Sequence, residues 1–229
     1  MWNSTKICDK VFNFISKMPH AKLYQRYYRK TPIKKLANIG DISIVAVNCV
    51  GGELYHILGR RFNTPFINNS MERKLFVLMA SHFEEYMCAP YRVEKAQKVS
   101  GIYLYLEPTE LPAIKIRFPH DDNLETVSSN WEKRVSRLNY DKLVFICDDR
   151  GLDETDFRLY DTVEGYKKIM LTSKEIGYSW ATILPASTVA RYNFKDYFRG
   201  VWLFERQWDY SSFLISHDSL EVDINKQNQ

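Results

Sequence analysis

The stretch Ser43-Ile44-Val45-Ala46-Val47-Asn48-Cys49-Val50-Gly51-Gly52-Glu53-Leu54-Tyr55 decides the fold of this chain. It begins as a near-continuous apolar, β-branched run, which is typical of a strand buried on both faces in the centre of an α/β sheet. Asn48 and Cys49 end that run, and the pair Gly51-Gly52 leads into an apolar helical pattern that ends at Gly59. The stretch therefore places an amide and a thiol at the carboxyl end of a strand, where the first N–H groups of a helix lack partners.

The rest of the chain alternates between the two hydrophobic periodicities of strands and helices. Two proline-bounded strands in its middle predict an antiparallel excursion. The whole pattern predicts an α/β fold with a mainly parallel sheet, helices on both faces, that central excursion, and an aromatic-rich C-terminal cap from Trp180 onward. The predicted strands are 42–47, 102–106, 113–118, 142–147 and 166–171, and the predicted helices are 53–60, 72–87, 123–138 and 155–163.

Domain organisation follows from length and composition. With 229 residues and 45% hydrophobic content, the chain can bury a sizeable core, and we expect a single α/β domain over 41–217. Residues 1–40 are predicted to form an N-terminal helix and a basic aromatic segment, and residues 218–229 a polar tail. The N-terminal apolar face either packs on the domain or lies on an anionic membrane surface or a partner.

Charge and cysteine content exclude several classes of function. The 32 basic and 28 acidic side chains leave a net charge of only +4, which argues against a nucleic-acid partner. The four cysteines are far apart, without the spacing of a zinc site or redox dithiol, so we expect reduced intracellular thiols. Because no signal-peptide core and no run of about twenty apolar residues is present, we expect a cytoplasmic protein, with peripheral attachment to the inner face of the membrane as the alternative.

Polar segments follow three predicted strands: Asn48-Cys49 with the glycine pair, 119–122, and 148–151. Ligands of open α/β sheets bind beyond the carboxyl ends of the strands, so we expect these segments to converge. Cys49 is either a nucleophile with His120 as its base or a buried structural thiol. The glycine pair is consistent with an anion cradle, although it lacks a full nucleotide-binding fingerprint.

Three further candidates could carry chemistry. Asp148-Asp149 could hold a divalent cation, but capping of the next helix is the favoured interpretation because one acidic pair is an incomplete ligand set. His120, between a proline and two aspartates, could be a general base, a metal ligand or a surface histidine. Trp131, Arg134 and Arg137 lie three apart, which suits a ring and two guanidiniums that clamp a phosphate, sulfate or carboxylate; the alternative is a solvated helix with a buried tryptophan.

At several ordered motifs the chain resembles a known family. Residues 47–55, continuing through Leu58-Gly59 and 63–66, are similar to the Asn-Cys-Trp-Gly-Gly segment of the bacterial domain-of-unknown-function family nineteen-nineteen. Residues 116–120, the helix with Trp131, Arg134 and Arg137, and 144–151 follow in that family's order, so the resemblance spans about residues 43–173. Val50 replaces the usual tryptophan, and 119–121 and 148–152 depart from the family's His-Tyr and Asp-Arg-Asp-Gly patterns.

Members of that family are described as exopolysaccharide or capsule biosynthesis proteins, without an established activity. The resemblance implies a place in surface-polysaccharide assembly, and our leading hypothesis is a transferase that acts on a sugar nucleotide or a lipid-linked saccharide. Its ligand-binding residues would be Asn48, Gly51, Gly52, Trp131, Arg134 and Arg137, and its catalytic candidates Cys49, His120 and Asp149, with His120 or Asp149 as the base. A Cys49–His120 acyltransferase or hydrolase and a non-catalytic assembly factor at the membrane surface are the alternatives. The sequence identifies no cofactor, metal or oligomeric state.

Overall fold

The computed structural model describes residues 40–183, nearly all of which belong to one compact unit. The predicted N-terminal helix and basic segment, the C-terminal cap beyond residue 183 and the polar tail lie outside the described residues. Eight strands are present in the described part: β1 (Ser43–Ala46), β2 (Ser70–Met71), β3 (Tyr91–Lys95), β4 (Ile102–Leu106), β5 (Ile114–Phe118), β6 (Leu143–Asp148), β7 (Lys167–Thr172) and β8 (Ala181–Ile183).

Five α-helices and one short 3₁₀ turn connect these strands in the described part. The predicted mixture of strands and helices is thereby confirmed as an α/β fold. The helices are α1 (Val50–Leu58), α2 (Arg73–Ser81), α3 (Phe83–Cys88), α4 (Leu124–Val135) and α5 (Glu154–Asp161), and the 3₁₀ turn is Tyr140–Lys142.

The first sheet is parallel, with the strand order β1-β6-β7-β8. Its register pairs Ala46 with Ile146 and Asp148 with Leu171, so the carboxyl ends of β1, β6 and β7 lie along one edge of the sheet. We call this the carboxyl edge. All six residues of β6 are buried, as expected for a strand with neighbours on both sides. Among the described strands β1 lies at one end of this order, whereas its apolar run predicted a central strand.

The second sheet is antiparallel, with the order β2-β5-β4-β3. The predicted excursion is therefore a complete four-stranded sheet, and its β3 was not predicted. Residues of β4 alternate between the buried side and the outer side, which is the two-residue period of a half-covered sheet. The N–H of Met71 donates to the carbonyl of Val47 at 3.0 Å, so β2 joins the end of β1 to this sheet.

Helix ends differ from the prediction in two places. The predicted helix 72–87 is two helices, because the backbone of His82 leaves the helical region with φ −132° and ψ 43°. The prediction that Asp148-Asp149 caps the following helix is wrong, since Asp153 caps α5 in a reciprocal capping box with Asp156. The predicted end of α1 at Gly59 is confirmed, where a φ of 61° suits a residue without a Cβ.

One hydrophobic core extends over both sheets. Aromatic pairs hold it together, with ring centroids 5.1 Å apart for Phe83 and Phe145, and 5.1 Å apart for Tyr160 and Trp180. Trp180, the first residue of the predicted aromatic cap, is buried in this core. None of the helices within residues 40–183 has the length and apolar character needed to cross a membrane.

Candidate functional site

The turn after β1 is shaped by close packing. Asn48 accepts a hydrogen bond from the N–H of Val50 at 3.0 Å, which fixes the start of α1. A Cβ added at Gly51 would lie 3.2 Å from the Cβ of Ala46, and one added at Gly52 would lie 3.1 Å from Asn68 Oδ1. Both glycines are buried, so their lack of a side chain lets α1 approach β1 and the following loop; a role as an anion cradle stays a prediction.

The loop over 64–69 lies at the carboxyl end of β1. Asn69 is fully buried, and its Nδ2 donates to the carbonyl of Ala46 at 3.2 Å. The thiol of Cys49 donates to the carbonyl of Asn69 at 3.7 Å. The Oδ1 of Asn69 is buried and has no hydrogen-bond partner among residues 40–183. Cys49 thus reaches the same loop that presents an unpaired amide oxygen.

The turn after β5 approaches this loop from the other sheet. Ser70 pairs with Arg117, and the antiparallel register continues from there toward Asn69 and Phe118. Asn68 and Asp121 line one small cavity, and Asn68 has a φ of 55°, a left-handed conformation that asparagine tolerates. His120 is the exposed neighbour of Asp121. The predicted segments at 48–52 and 119–122 therefore both lie beside this loop.

The end of β6 carries a carboxylate between two guanidiniums. Asp148 is fully buried, and it accepts hydrogen bonds from Arg73 Nε at 3.0 Å and Nη2 at 2.8 Å, and from Arg150 Nε at 2.6 Å and Nη2 at 2.7 Å. Burial raises the pKa of Asp148 to about 6, and Arg73 opposes the rise, so the group stays mostly ionised at neutral pH. Two guanidiniums therefore hold Asp148, and the negative charge of the adjacent Asp149 also acts on it.

Asp149 follows at the carboxyl edge. Its N–H donates to the carbonyl of Leu171 at 3.1 Å, and its Oδ2 accepts from the N–H and the hydroxyl of Ser173, both at 2.8 Å. Its Oδ1 is buried without a partner, and so is the Oγ1 of Thr172 on the neighbouring strand. With Asn69 Oδ1, these are three of the four buried side-chain polar atoms in residues 40–183 that lack a hydrogen bond.

The cavity beside α4 is small, about 80 Å³, and it brings together Trp131 and Arg134 of the predicted clamp with Asn68 and Asp121. The guanidinium of Arg134 lies 5.5 Å from the ring centre of Phe62. Burial, with the positive charge of Arg137 beside it, lowers the pKa of Arg134, and Asp121 opposes this shift. Within residues 40–183 no acceptor forms a hydrogen bond with the Arg134 side chain.

Arg137 lies toward the opposite edge of the parallel sheet. Its charge acts on Tyr55, whose hydroxyl donates to the carbonyl of Ile42 at 2.7 Å, and Asn139, two residues further on, donates its N–H to Ser43 Oγ at 2.9 Å. Both contacts are at the amino end of β1. The structure therefore does not bring Arg137 and Asp149 together, whereas Arg134 lies between those two positions, beside the loop over 64–69.

Sequence reasoning found only part of this arrangement. Trp131 is only 5% exposed and packs on Phe66, so the buried-tryptophan alternative describes its environment. The residues that it missed are Asn69, Arg73, Thr172 and Ser173, which lie in segments without a motif and become neighbours only through strand order.

Within residues 40–183 no three His, Cys, Asp or Glu side chains are grouped as metal ligands would be. Of the described cysteines, Cys147 is buried, Cys49 is half-buried and Cys88 is exposed.

Comparison with known proteins identifies relatives without a described activity. A family model described as "Domain of unknown function (DUF1919)" matches residues 20–199. An uncharacterized protein of Haemophilus influenzae is 28% identical over 152 residues, which cover 66% of this chain and 70% of that protein.

Proposed function

The chain belongs to the DUF1919 family, and from that premise and the geometry of the carboxyl edge we propose that it is a group transferase acting on a phosphorylated saccharide. The donor would be a sugar nucleotide or a lipid-linked saccharide used in bacterial surface polysaccharide assembly. One observation carries the proposal: three buried oxygens without partners occur on the loop and strand ends of the carboxyl edge.

These oxygens are on Asn69, Asp149 and Thr172, and each can accept a hydrogen bond. A buried polar atom without a partner destabilises the fold by about 1–3 kcal/mol, so several at one edge lower the stability appreciably. Sugar hydroxyls are neutral donors that would remove this cost on binding. The composition of the edge thus favours a polyhydroxylated ligand.

Asp149 is the candidate general base. Two donors of Ser173 hold its Oδ2, which fixes the orientation of the carboxylate and leaves Oδ1 as the oxygen that can receive a proton. In the proposed reaction the acceptor hydroxyl oxygen forms a bond to the sugar carbon of the donor as the bond from that carbon to the phosphate oxygen breaks. The hydroxyl proton passes to Asp149 Oδ1, and the electron pair leaves on the phosphate.

The departing phosphate needs positive charge, and Arg134 is the candidate to supply it. Its guanidinium is partly buried beside Phe62 and makes no hydrogen bond within the described residues. A guanidinium in that state can offer two parallel N–H donors to phosphate oxygens. The alternative base, His120, is exposed, and the Cys49–His120 hydrolase stays a prediction. The membrane-surface assembly factor depends on the N-terminal segment, outside the described residues.

The proposal can be tested with UDP-glucose, glucose 1-phosphate and glucose as probes in thermal melts of the full chain. We expect UDP-glucose to stabilise most, by about 2.7 kcal/mol at a hundred times its Kd. Slow release of UDP to water should fall about 10²- to 10⁴-fold in Asp149→Asn, as for loss of a general base. Asp141→Asn, at an exposed position in the 3₁₀ turn, is the matched control and should behave as wild type.

Two results would overturn the proposal. One is that no probe shifts the melting temperature at millimolar concentration. The other is that Asp149→Asn binds UDP-glucose and releases UDP at the wild-type rate.

A further inference from the structure

Three arginines form a row beside α4 that no carboxylate neutralises by a hydrogen bond within residues 40–183. Arg134 is in the last turn of α4, and the N–H of Arg137 donates to the carbonyl of Arg134 at 3.2 Å, so the helical path continues and places both side chains on one side. Arg61 completes the row: it directly precedes Phe62, against whose ring Arg134 lies, and its positive charge lowers the pKa of Arg137. The Nε of Arg137 is buried and has no hydrogen-bond partner in the described part of the chain.

Several other arginines of the described chain are paired with carboxylates, whereas Arg117 donates to the backbone carbonyl of Ser100. Arg73 has Asp148, Arg158 has Glu154, and Arg92 has two glutamates as ion-pair partners at 3.2 Å or closer. In the row, the acid that acts on Arg134 is Asp121, through space and without a hydrogen bond. Within the described residues, no acidic side chain is among the groups that act on the pKa of Arg137.

Such a row is unfavourable without an anion. Like charges repel, and the partial burial of Arg134 and Arg137 removes water that would screen them, while Arg61 is exposed. The cations do not separate, because α4 is anchored by Trp131 in the core and Arg134 is held against Phe62. Their arrangement is therefore built for a group with more than one negative charge.

We propose that Arg61, Arg134 and Arg137 bind a diphosphate group, with Arg134 nearest the carboxyl edge and Arg61 and Arg137 toward the amino end of β1. A single phosphate can engage one or two guanidiniums, whereas a diphosphate offers two anionic centres along the row. The inference rests on the proposed function only in calling the ligand the donor of the transfer. It selects diphosphate-linked donors over sugar monophosphates.

The test is calorimetric titration of the full chain with inorganic pyrophosphate and with inorganic phosphate. We expect pyrophosphate to bind at least about tenfold more tightly, a difference of about 1.4 kcal/mol. Arg134→Gln and Arg137→Gln should each weaken pyrophosphate binding about tenfold or more. Lys133→Gln, an exposed cation on the same helix, should change it less than about twofold.

Two measurements keep folding and catalysis apart from this result. Without ligand, Arg137→Gln should melt at or above the wild-type temperature, since it removes a buried unpaired donor and a repelling charge. Asp149→Asn should retain pyrophosphate binding, so unchanged turnover in that variant would count against the proposed base and not against this site. Tighter binding of UDP than of farnesyl diphosphate would identify a nucleotide donor, and the reverse order a lipid donor.

The diphosphate site is refuted if phosphate and pyrophosphate bind equally. It is also refuted if neither binds at millimolar concentration, or if the two arginine variants bind as tightly as Lys133→Gln does.

Discussion

Asp149 offers a pair of substitutions whose effects on stability should diverge. Asp149→Ala removes the acceptor of two hydrogen bonds from Ser173, each 2.8 Å long. Hydrogen bonds to a charged group contribute about 1.5–3 kcal/mol each, and the loss is reduced because a buried unpartnered oxygen disappears as well. We expect Asp149→Ala to lower the free energy of unfolding by about 2–4 kcal/mol. For a domain of this size, that corresponds to a melting temperature about 4–16 °C lower.

Asp149→Asn should differ in both respects. Its amide oxygen can take the position of Oδ2 and accept both bonds from Ser173, while its NH₂ group replaces the oxygen that has no partner. It also removes the negative charge that raises the pKa of the neighbouring Asp148 in the wild type. We expect a change within about 1 kcal/mol in urea unfolding, together with loss of turnover. The reasoning fails if Asp149→Asn loses as much stability as Asp149→Ala, since the orientation by Ser173 would then not be the relevant interaction.

Three further predictions concern packing and capping. Gly51→Ala should lower the free energy of unfolding by about 1 kcal/mol in urea melts, because overpacking against Ala46 and the Phe66 carbonyl outweighs the helix propensity of alanine. Equal or higher stability would show that α1 can shift. Gly101→Ala should cost several times the ~1–2 kcal/mol expected of Gly165→Ala, because both have positive φ but only at Gly101 would the new Cβ meet the Phe118 carbonyl. Lys74 and the N–H of Thr155 lower the pKa of Asp153, so its stabilisation of α5 is complete at neutral pH and is lost as the pH falls below about 4. The difference in melting temperature between pH 7 and pH 3 should therefore be smaller in Asp153→Asn than in wild type.

The fold was predictable where a single segment specifies its own structure. The apolar runs of β1, β6 and β7 and the proline-bounded β4 and β5 are explicit in the sequence. The strands β1 and β6 are buried throughout, and β4 and β5 are buried at every second residue. β3 was missed, since Tyr91–Lys95 alternates between half-buried and exposed residues and carries three charged side chains. The two-residue β2 and the three-residue β8 are defined by pairing with a neighbour and not by any local pattern.

In the candidate site, too, the sequence predicts single residues but not the neighbours that the fold brings to them. Asp149 was found from its position after a buried strand, yet its environment depends on Ser173, which follows a different strand. Arg73 belongs to a helix that begins 75 residues before Asp148 in the chain, and no spacing rule connects the two. Arg137 was grouped with Asp149 on the expectation of one cleft, but the direction of α4 carries it to the opposite edge of the sheet.

The central claim is that the carboxyl edge binds the saccharide through the oxygens of Asn69, Asp149 and Thr172. The most direct measurement is an NMR titration of the ¹⁵N-labelled full chain with UDP-glucose, followed at the backbone amide of Ser173 and the side-chain amide of Asn69. The account predicts saturable shifts of both signals, with the Asn69 shift absent when UDP alone is added. Shifts confined to the outer face of β3 and β4, with Ser173 and Asn69 unmoved at saturation, would contradict it.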